Sequence, residues 1–308
     1  MSKAFDLSQA VRGRGITADL GAFRNKIING NFDIWQRGNL QNANGYRSAD
    51  RWYVNFNGGT GAVQQVDMAL DAFQNAPSYN LALSMAAASA NKPCIQQRVE
   101  GVRQFSNKKV TLTFYAYTYD GPFQIDMALF MGYGTGGTPS AEEQLPIQSE
   151  TIPGGEWHKI TKVFEIPSVA GKTFGTSGGD YLQIQLRSPA SSEYTVHYAH
   201  VSLVEGDATA EDDPFSPRHI QQELALCQRY FEVSSGDVQW TQPGSSGIAL
   251  QRNTTPFAVR KRNTTTVVIN RTNGSASVIA ASTTHFIVGS AETATTFHSF
   301  SWQADAEL

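Results

Sequence analysis

The chain has 308 residues, of which 40% are hydrophobic and only 17% charged, and its formal net charge is −3 at pH 7. A soluble domain usually carries about 25% charged residues, so neutral polar groups must cover much of this surface. Nucleic acid and anionic membranes are poor partner candidates, because the chain has no basic excess to neutralise phosphates. The length allows about two domains.

Residues 1–25 form a polar leader in which Arg12 and Arg14 stand among glycines and small residues. Such a segment cannot bury a core of its own, which indicates an arm that docks on another protein. The leader lacks the apolar stretch of a secretory signal, so we expect synthesis in a cytoplasm. There Cys94 and Cys227 are expected as free thiols, with a disulfide as the alternative.

Residues 26–207 show the alternation of β-strands. In the segment 110–117, apolar side chains alternate with threonine and tyrosine, which predicts one apolar face and one polar, aromatic face. Similar alternation recurs at 125–129, 158–166, 182–187 and 194–203. Short alternating strands separated by glycine, proline and asparagine are typical of an antiparallel sandwich. We therefore predict a mainly all-β protein with a jelly-roll-like β-sandwich over this range.

Residues 208–236 are predicted as a linker and one connecting amphipathic helix. Ser216 can cap the helix with Pro217 at its first position. Apolar residues then recur at helical spacing as far as Phe231, which predicts about four turns.

Residues 237–308 are predicted as a small C-terminal β module. Its predicted strands include 248–252 and 256–262, and Asn273-Gly274 is predicted as a hairpin turn. A module of this size has a marginal core, and oligomerisation is the natural remedy.

Residue types that carry out catalysis are not grouped in the sequence. The six histidines form no HExxH or Cys/His metal array, and no GxSxG motif occurs. His197 and His200 stand three apart on a predicted strand, so we expect them on opposite sides of the sheet. Residues 132–137 match GxGxxG, but no helix is predicted after them, which favours a flexible loop. No carboxylate pair stands out for glycoside hydrolysis. We expect a binding protein that is not an enzyme and has no cofactor.

Aromatic and amide side chains form the clearest candidate site. Three tyrosines of one strand share a parity, and aromatic faces stack on the apolar faces of sugar rings. Amides and arginine on another strand would take the sugar hydroxyls. The candidate carbohydrate-binding residues are Tyr115, Tyr117, Tyr119, Gln183, Gln185, Arg187 and Trp52. A tyrosine stripe also packs well under a loop or against a neighbouring subunit, so both interpretations stay open.

Blocks of the sequence resemble bacteriophage tail-fibre and receptor-binding proteins. KIINGNFDIWQRG, followed by SADRWYV at 48–54, resembles the start of their sandwich domain. HVSLVEGDATAEDDPFSPRHIQQELALCQRYFEV at 200–233 resembles their shared junction, and FSWQADAEL resembles their C-terminus. The blocks occur in the expected order and span almost the whole chain after residue 25.

This resemblance implies a fibre or spike protein, part of the virion, which is made in the host bacterial cytoplasm and binds host surface polysaccharide or glycan during attachment. It implies a domain like the carbohydrate-binding modules of glycosidases, a homotrimer formed through the C-terminal module, and an N-terminal arm that contacts other virion proteins. Asp33 matches an acid that holds structural calcium in related modules, whereas His200 stands near a position where a second acid is common. Trp35 and Arg37 belong to the motif, which fits a scaffold role at least as well as ligand contact, and Trp35 is interpreted as structural.

Two other functions are compatible with the same blocks. One is a purely structural virion component, such as a collar, head fibre or tail adaptor, whose sandwich packs on other virion proteins. The other is a polysaccharide depolymerase, against which the absence of a long β-helix repeat counts.

Overall fold

The computed structural model describes residues 24–119, 121–191, 193–242, 251–290 and 296–308. The chain divides into two compact units, with the boundary between Ile220 and Gln221. The predicted arm with Arg12 and Arg14 lies outside the described residues, as does the first part of the predicted strand at 248–252.

Two antiparallel sheets form the first unit. Sheet A contains, in spatial order, β1 (Leu40–Gln41), β3 (Thr60–Asp67), β4 (Tyr79–Ala87), β12 (Tyr194–Glu205), β6 (Lys109–Thr118) and β10 (His158–Glu165). Sheet B contains β2 (Tyr53–Asn55), β5 (Cys94–Glu100), β11 (Asp180–Arg187), β7 (Phe123–Tyr133) and β8 (Glu143–Gln144), and β9 (Gln148–Ile152) also pairs with β7. A short 3-10 helix, Val102–Phe105, follows β5.

The core of the first unit lies between these two sheets. Leu112 and Phe114 of β6 share it with Ile184 and Leu186 of β11, and all four are fully buried. Their neighbours in each strand point outward, because successive strand residues face opposite sides. The predicted all-β antiparallel sandwich is confirmed.

The first motif block folds onto the strand β12 through a tight turn. Asn29 adopts a left-handed backbone conformation and bonds through its side chain to the backbone of Ile34 and Asp50. Gly30 accepts a hydrogen bond from the Val201 amide at 2.9 Å. A Cβ at this glycine would lie 2.1 Å from the Val201 carbonyl oxygen, so no larger residue fits.

The connecting helix is shorter than predicted. The described helix, α1, spans only Ile220–Gln228. Ser216 adopts a left-handed conformation with φ of 51°, and the helix begins four residues later. Phe231 leaves the helical pattern because it begins β13 (Phe231–Val233), which pairs with the last strand. Cys94 and Cys227 are both buried and form no disulfide with each other.

The second unit contains two small antiparallel sheets. Sheet C consists of β13, β19 (Thr296–Asp305), β14 (Val238–Gln242) and β16 (Thr266–Asn273). Sheet D consists of β15 (Gln251–Pro256), β18 (His285–Ser290) and β17 (Ser277–Ala281). The buried apolar cluster comprises Phe257, Ala276, Phe286, Val288, Phe300, Trp302 and Ala304.

Two local predictions for this unit are wrong. The sequence predicts a strand over 256–262, but after Pro256 these residues form an irregular segment. In it the buried Lys261 ammonium bonds to Glu232 and to the Gln228 carbonyl. Asn273-Gly274 makes a turn but no hairpin, because β16 pairs in sheet C while β17 pairs in sheet D. In the described residues, no helix is long and apolar enough to cross a membrane.

Candidate functional site

The predicted site residues other than Trp52 are divided between the two sheets of the sandwich. The strand that carries Tyr115 and Tyr117 belongs to sheet A, whereas the strand that carries Gln183, Gln185 and Arg187 belongs to sheet B. Both groups point away from the shared core, so the structure does not bring them together. They form two separate candidate surfaces.

Trp52 belongs to neither surface, and its assignment as a carbohydrate-binding residue is wrong. Its side chain is completely buried, with the indole 5.1 Å from the Phe32 ring. The indole nitrogen donates to the Asn29 carbonyl at 2.9 Å. Trp52, in the block at 48–54, therefore connects this block to the block at 26–38 by packing and by a hydrogen bond. Trp35, interpreted as scaffold, is half-buried and packs against the same core.

A row of hydrogen-bonded polar side chains crosses the outer face of sheet B. We call this set the amide row; it consists of Gln96, Arg98, Gln183, Gln185 and Arg187. The Gln185 amide donates to the Gln96 side-chain oxygen at 2.7 Å. The Arg98 Nε donates to Gln183 and the Arg187 Nε donates to Gln185, each at 2.8 Å. Gln183 is only 3% exposed, so it supports the row from beneath rather than offering a contact surface.

Aromatic rings lie beside both guanidinium groups of the amide row. The Arg98 guanidinium stands 4.2 Å from the centroid of the Tyr181 ring, and that of Arg187 stands 5.4 Å from Phe130. The Tyr181 hydroxyl donates to Glu142 at 2.6 Å, and burial together with this bond raises its pKa to about 12. These contacts hold the long side chains over the sheet in defined positions.

A surface depression of about 390 Å³ lies at the Arg187 end of the amide row. It is lined by Asn55, Asn57, Asn91, Lys92, Cys94, Gln185 and Arg187. The Lys92 ammonium is engaged by Asp126 at 2.5 Å. Burial raises the pKa of the Cys94 thiol to about 12, although Arg187 opposes the shift, so this thiol is not a nucleophile at neutral pH. Among the described residues, no carboxylate forms an ion pair with Arg187, which contacts Gln185 and Phe130.

The tyrosine stripe of sheet A is only partly open. Tyr115 is stacked under Phe73, with ring centroids 3.7 Å apart and planes 2° from parallel. Burial raises the Tyr115 pKa, and the nearby Asp213 charge adds to the shift. The tyrosine stripe was open to two interpretations, a sugar site or packing under a loop, and Tyr115 packs under the loop that carries Phe73. Tyr117 and Tyr119 lie beyond this loop, and Tyr119 is 67% exposed.

The expectation that His197 and His200 face opposite sides of the sheet is wrong. The pairing of β12 with β6 shifts between Ala199 and Ser202, which marks a β-bulge with one extra residue. His200 has a φ of 56° at this bulge. Because of the extra residue, His200 faces the same side of the sheet as His197. On that outer face His197 contacts Tyr117 and His200 contacts Tyr115.

The calcium site that the resemblance implies would need a second acid near His200, a residue that is held by other side chains. His200 bonds to Asn31 at 3.1 Å and to Asp213 at 3.0 Å, and its ring stacks on Phe215. Burial opposes ionisation of Asp213, but the hydrogen bond and charge of His200 prevail and lower its pKa to about 2. Calcium requires several oxygen ligands. Across the described ranges, no group of three or more His, Cys, Asp or Glu side chains could hold a metal ion.

The GxGxxG segment at 132–137 forms a loop that is fixed by its neighbour. Thr135 exchanges backbone hydrogen bonds with Ser177 and Gly178, each at 2.9 Å. The next regular element is β8, a strand, whereas a dinucleotide site needs a helix N-terminus at this point.

Sequence reasoning did not select Gln96, Arg98 and Trp157, which complete the two surfaces. Gln96 and Arg98 alternate with buried residues in β5, so their outward direction was visible in the sequence. Their position beside Gln185 and Gln183 follows from the pairing of β5 with β11, which no local pattern shows.

No protein-family model matches the chain, and no curated protein matches it. Among solved structures it is similar to one described as "CBM4 structure and function", at 15% identity and a TM-score of 0.37, covering 58% of this chain and 98% of that one. It is also similar to the CBM22-2 xylan-binding domain from Paenibacillus barcinonensis Xyn10C, at 16% identity and a TM-score of 0.34, covering 51% and 92%.

A third similar structure is the enzymatically active domain of bacteriophage CBA120 tailspike protein 4, at 14% identity and a TM-score of 0.38. The similarity covers 63% of this chain and 24% of the tailspike chain. Likenesses at this level assign no function, which has to be inferred from the side chains of the two surfaces.

Proposed function

We propose that the first unit is a non-catalytic carbohydrate-binding domain and that the amide row is its binding surface. The observation that carries the proposal is the hydrogen-bonded array itself, in which Gln96 and Gln185 orient each other between the guanidinium groups of Arg98 and Arg187. Amides both donate and accept, as sugar hydroxyls do, and guanidinium groups donate in a fixed planar fork.

The array is suited to binding because its side chains are already ordered. Each amide orientation is fixed by a neighbour before any ligand arrives, so association loses less side-chain entropy. The Arg187 guanidinium borders the 390 Å³ depression and can donate to a pair of hydroxyls or to a saccharide carboxylate. The Tyr181 ring lies against the Arg98 guanidinium and holds the other end of the row in position.

Substitution of the exposed members of the row tests this site. We expect Gln185→Ala and Arg187→Met each to weaken binding to a responsive polymer at least about tenfold, which corresponds to the loss of one or two hydrogen bonds. The measurement is binding to an array of isolated bacterial surface polysaccharides. Arg252→Met removes an exposed arginine of the second unit and serves as the matched control. Unchanged binding in both sheet B variants would rule out this surface.

We further propose that the domain acts in a phage fibre or spike that attaches to host surface glycan. The sequence blocks at 26–38, 48–54, 200–233 and 300–308 support this setting. Labelling virions with an antibody against the chain tests it, and a distal, exposed sandwich is expected. A sandwich covered by other virion proteins would favour the purely structural alternative. Shortened polysaccharide after incubation with the protein would show a depolymerase instead.

We infer that the C-terminal module assembles the chain as a homotrimer. The small apolar cluster of the second unit and its exposed apolar residues Val268, Ile279 and Phe297 support assembly. Sedimentation equilibrium of the full chain is expected to give three times the monomer mass of 33.6 kDa. A monomer at micromolar concentration would contradict the inference.

A further inference from the structure

Three aromatic side chains are neighbours on the outer face of sheet A. We call Tyr117, Tyr119 and Trp157 the aromatic patch. The Tyr117 ring lies 5.5 Å from Trp157 and 5.2 Å from Tyr119. Trp157 precedes β10, at the residue beside the His158–Ala116 pair, which places it across from Tyr117. The patch therefore spans the edge of the sheet.

A buried histidine contacts every ring of this patch. The His197 ring lies 5.5 Å from Tyr117, 5.7 Å from Tyr119 and 6.3 Å from Trp157. His197 is directly opposite Tyr117 in the pairing of β12 with β6, and it is only 6% exposed.

The hydrogen bonds of Asn80 determine the tautomer of His197. The Asn80 amide nitrogen donates to the carbonyls of Val66 and Asp67, at 3.2 and 3.5 Å, so its oxygen points to the histidine. That oxygen lies 2.8 Å from the His197 Nδ1, which must carry the proton. In the neutral ring, Nε2 is then a lone-pair acceptor.

This Nε2 has no hydrogen-bond partner among the described residues, although it is buried. A buried acceptor without a donor costs free energy, and most such groups in folded proteins are paired. The Nε2 lone pair accepts only from a donor group, and the rings around His197 are aromatic. A hydroxyl group attached to a ring with an apolar face meets both requirements.

The surface continues from the patch into a cavity. Ala82 lies directly opposite His197 on β4, and beside it the hydroxyls of Ser84 and Thr195 lie 2.8 Å apart. Ser84, Thr195 and Tyr119 also line a cavity of about 520 Å³. Among the described residues of its lining, Glu193 is the only charged one, which disfavours acidic ligands.

We propose that the aromatic patch and this cavity form a second saccharide site, specific for neutral sugars, on the sheet opposite the amide row. The apolar face of one sugar ring packs on Trp157 and Tyr117, and one of its hydroxyls donates to the His197 Nε2 after the side chains that cover this nitrogen move aside on binding. The next sugar unit passes Tyr119 into the cavity. The site shares no residue with the amide row, so each can fail without the other.

Affinity electrophoresis of the full chain tests the site with soluble neutral glucan, mannan, galactan and xylan as probes. We expect at least one of them to retard the protein, and Trp157→Ala and Tyr119→Ala each to weaken the retardation about tenfold. Leu40→Ala removes an exposed apolar side chain from β1, at the opposite edge of the same sheet, and should have no effect. The double variant Gln185→Ala/Arg187→Met should also retain the retardation, which separates this site from the amide row.

A second measurement addresses His197 directly. On addition of the retarding polymer's oligosaccharide, the ¹⁵N resonance of Nε2 should move as the nitrogen accepts a hydrogen bond, while that of Nδ1 stays. His197→Phe keeps an aromatic ring but removes the acceptor, and it should abolish retardation while the amide spectrum shows an intact sandwich. No retardation by any neutral polymer, or an unchanged Nε2 resonance with a bound saccharide, overturns the proposal.

Discussion

Gly30 is a motif residue whose lack of a side chain allows two backbone segments to lie close together. A Cβ there would approach the backbone oxygen of Val201 to 2.1 Å, and a backbone atom cannot rotate away. Because the turn carries the chain from the first motif block onto β12, the clash would disturb the packing of both segments. The asparagine and glycine of this block are thus required by the fold, independently of any ligand.

We expect Gly30→Ala to lower the free energy of unfolding by about 2–3 kcal/mol, as for other overpacked sites. Urea denaturation followed by tryptophan fluorescence measures this loss. Gly236→Ala is the matched control, because nothing lies within 4 Å of a Cβ at that position. Equal stability of the two variants would contradict the close approach at Gly30.

His197 should make the stability of the sandwich depend on pH. Burial lowers its pKa to about 4, from the 6.5 of an exposed histidine. Between these values the unfolded chain binds more protons than the folded chain, so stability falls as the pH decreases from about 6.5 towards 4. The full loss is about 3 kcal/mol. The carboxylate of Asp213, with a pKa of about 2, titrates below this window.

Urea midpoints measured at pH 7 and pH 4.5 check this dependence. The natural chain should lose stability over the interval, and His197→Phe should lose markedly less, because the variant has no imidazole to protonate. An identical pH dependence in the variant would show that other groups cause it.

At the scale of elements, the irregular segment after β15 is held by a buried ion pair. The Lys261 side chain is fully buried and bonds to Glu232, whose second oxygen accepts from the Ala258 amide at 3.0 Å. Burial lowers the pKa of Lys261, and Glu232 opposes the shift. A strand over 256–262 would place this lysine in an alternating pattern, whereas the observed segment is bent to deliver its ammonium to Glu232 of β13.

Removing one partner of this pair should cost more than replacing both. We expect Lys261→Met to destabilise the second unit by about 3–5 kcal/mol, because it leaves the Glu232 carboxylate buried without a cation. The double variant Lys261→Met/Glu232→Leu should recover a large part of that loss. Thermal unfolding followed by circular dichroism compares the three proteins, and a double variant as unstable as the single one would contradict this account.

The sequence pattern predicts the ends of some elements better than those of others. Strands β6, β10 and β11 lie where alternation predicts them, because each has one face in the core. The helix α1 ends early because Phe231 is needed opposite Asp305 in sheet C, a pairing with residues far along the chain.

At the scale of the whole molecule, the two units bury very different cores. The first encloses a large cluster of apolar side chains between sheets A and B, whereas the second has a small one around Phe286, Phe300 and Trp302. Since buried apolar area is the main source of stability, the second unit should open at lower free energy.

Hydrogen exchange followed by mass spectrometry measures this difference in the full chain. We expect amides of β15 to β18 to exchange faster than amides of β6 and β11. Equal protection in both units would indicate a single cooperative structure, or an assembly that stabilises the C-terminal module beyond its own core.

The sequence alone determined the class of fold and the outward parity of Tyr117, Gln185 and Arg187, because alternation along a strand is a local property. The tertiary structure decided which strands are neighbours. That pairing separated the tyrosines from the amide row, buried Trp52, and brought Gln96 and Arg98 beside Gln185 and Gln183.

The bulge in β12 likewise placed His200 beside Tyr115, on the same face as His197 and the aromatic patch. Such contacts join residues far apart in the chain and depend on register and on single extra residues. The alternation of apolar and polar residues along a strand specifies neither the register nor an extra residue. For this physical reason the sequence predicted the sandwich but not the composition of its two surfaces.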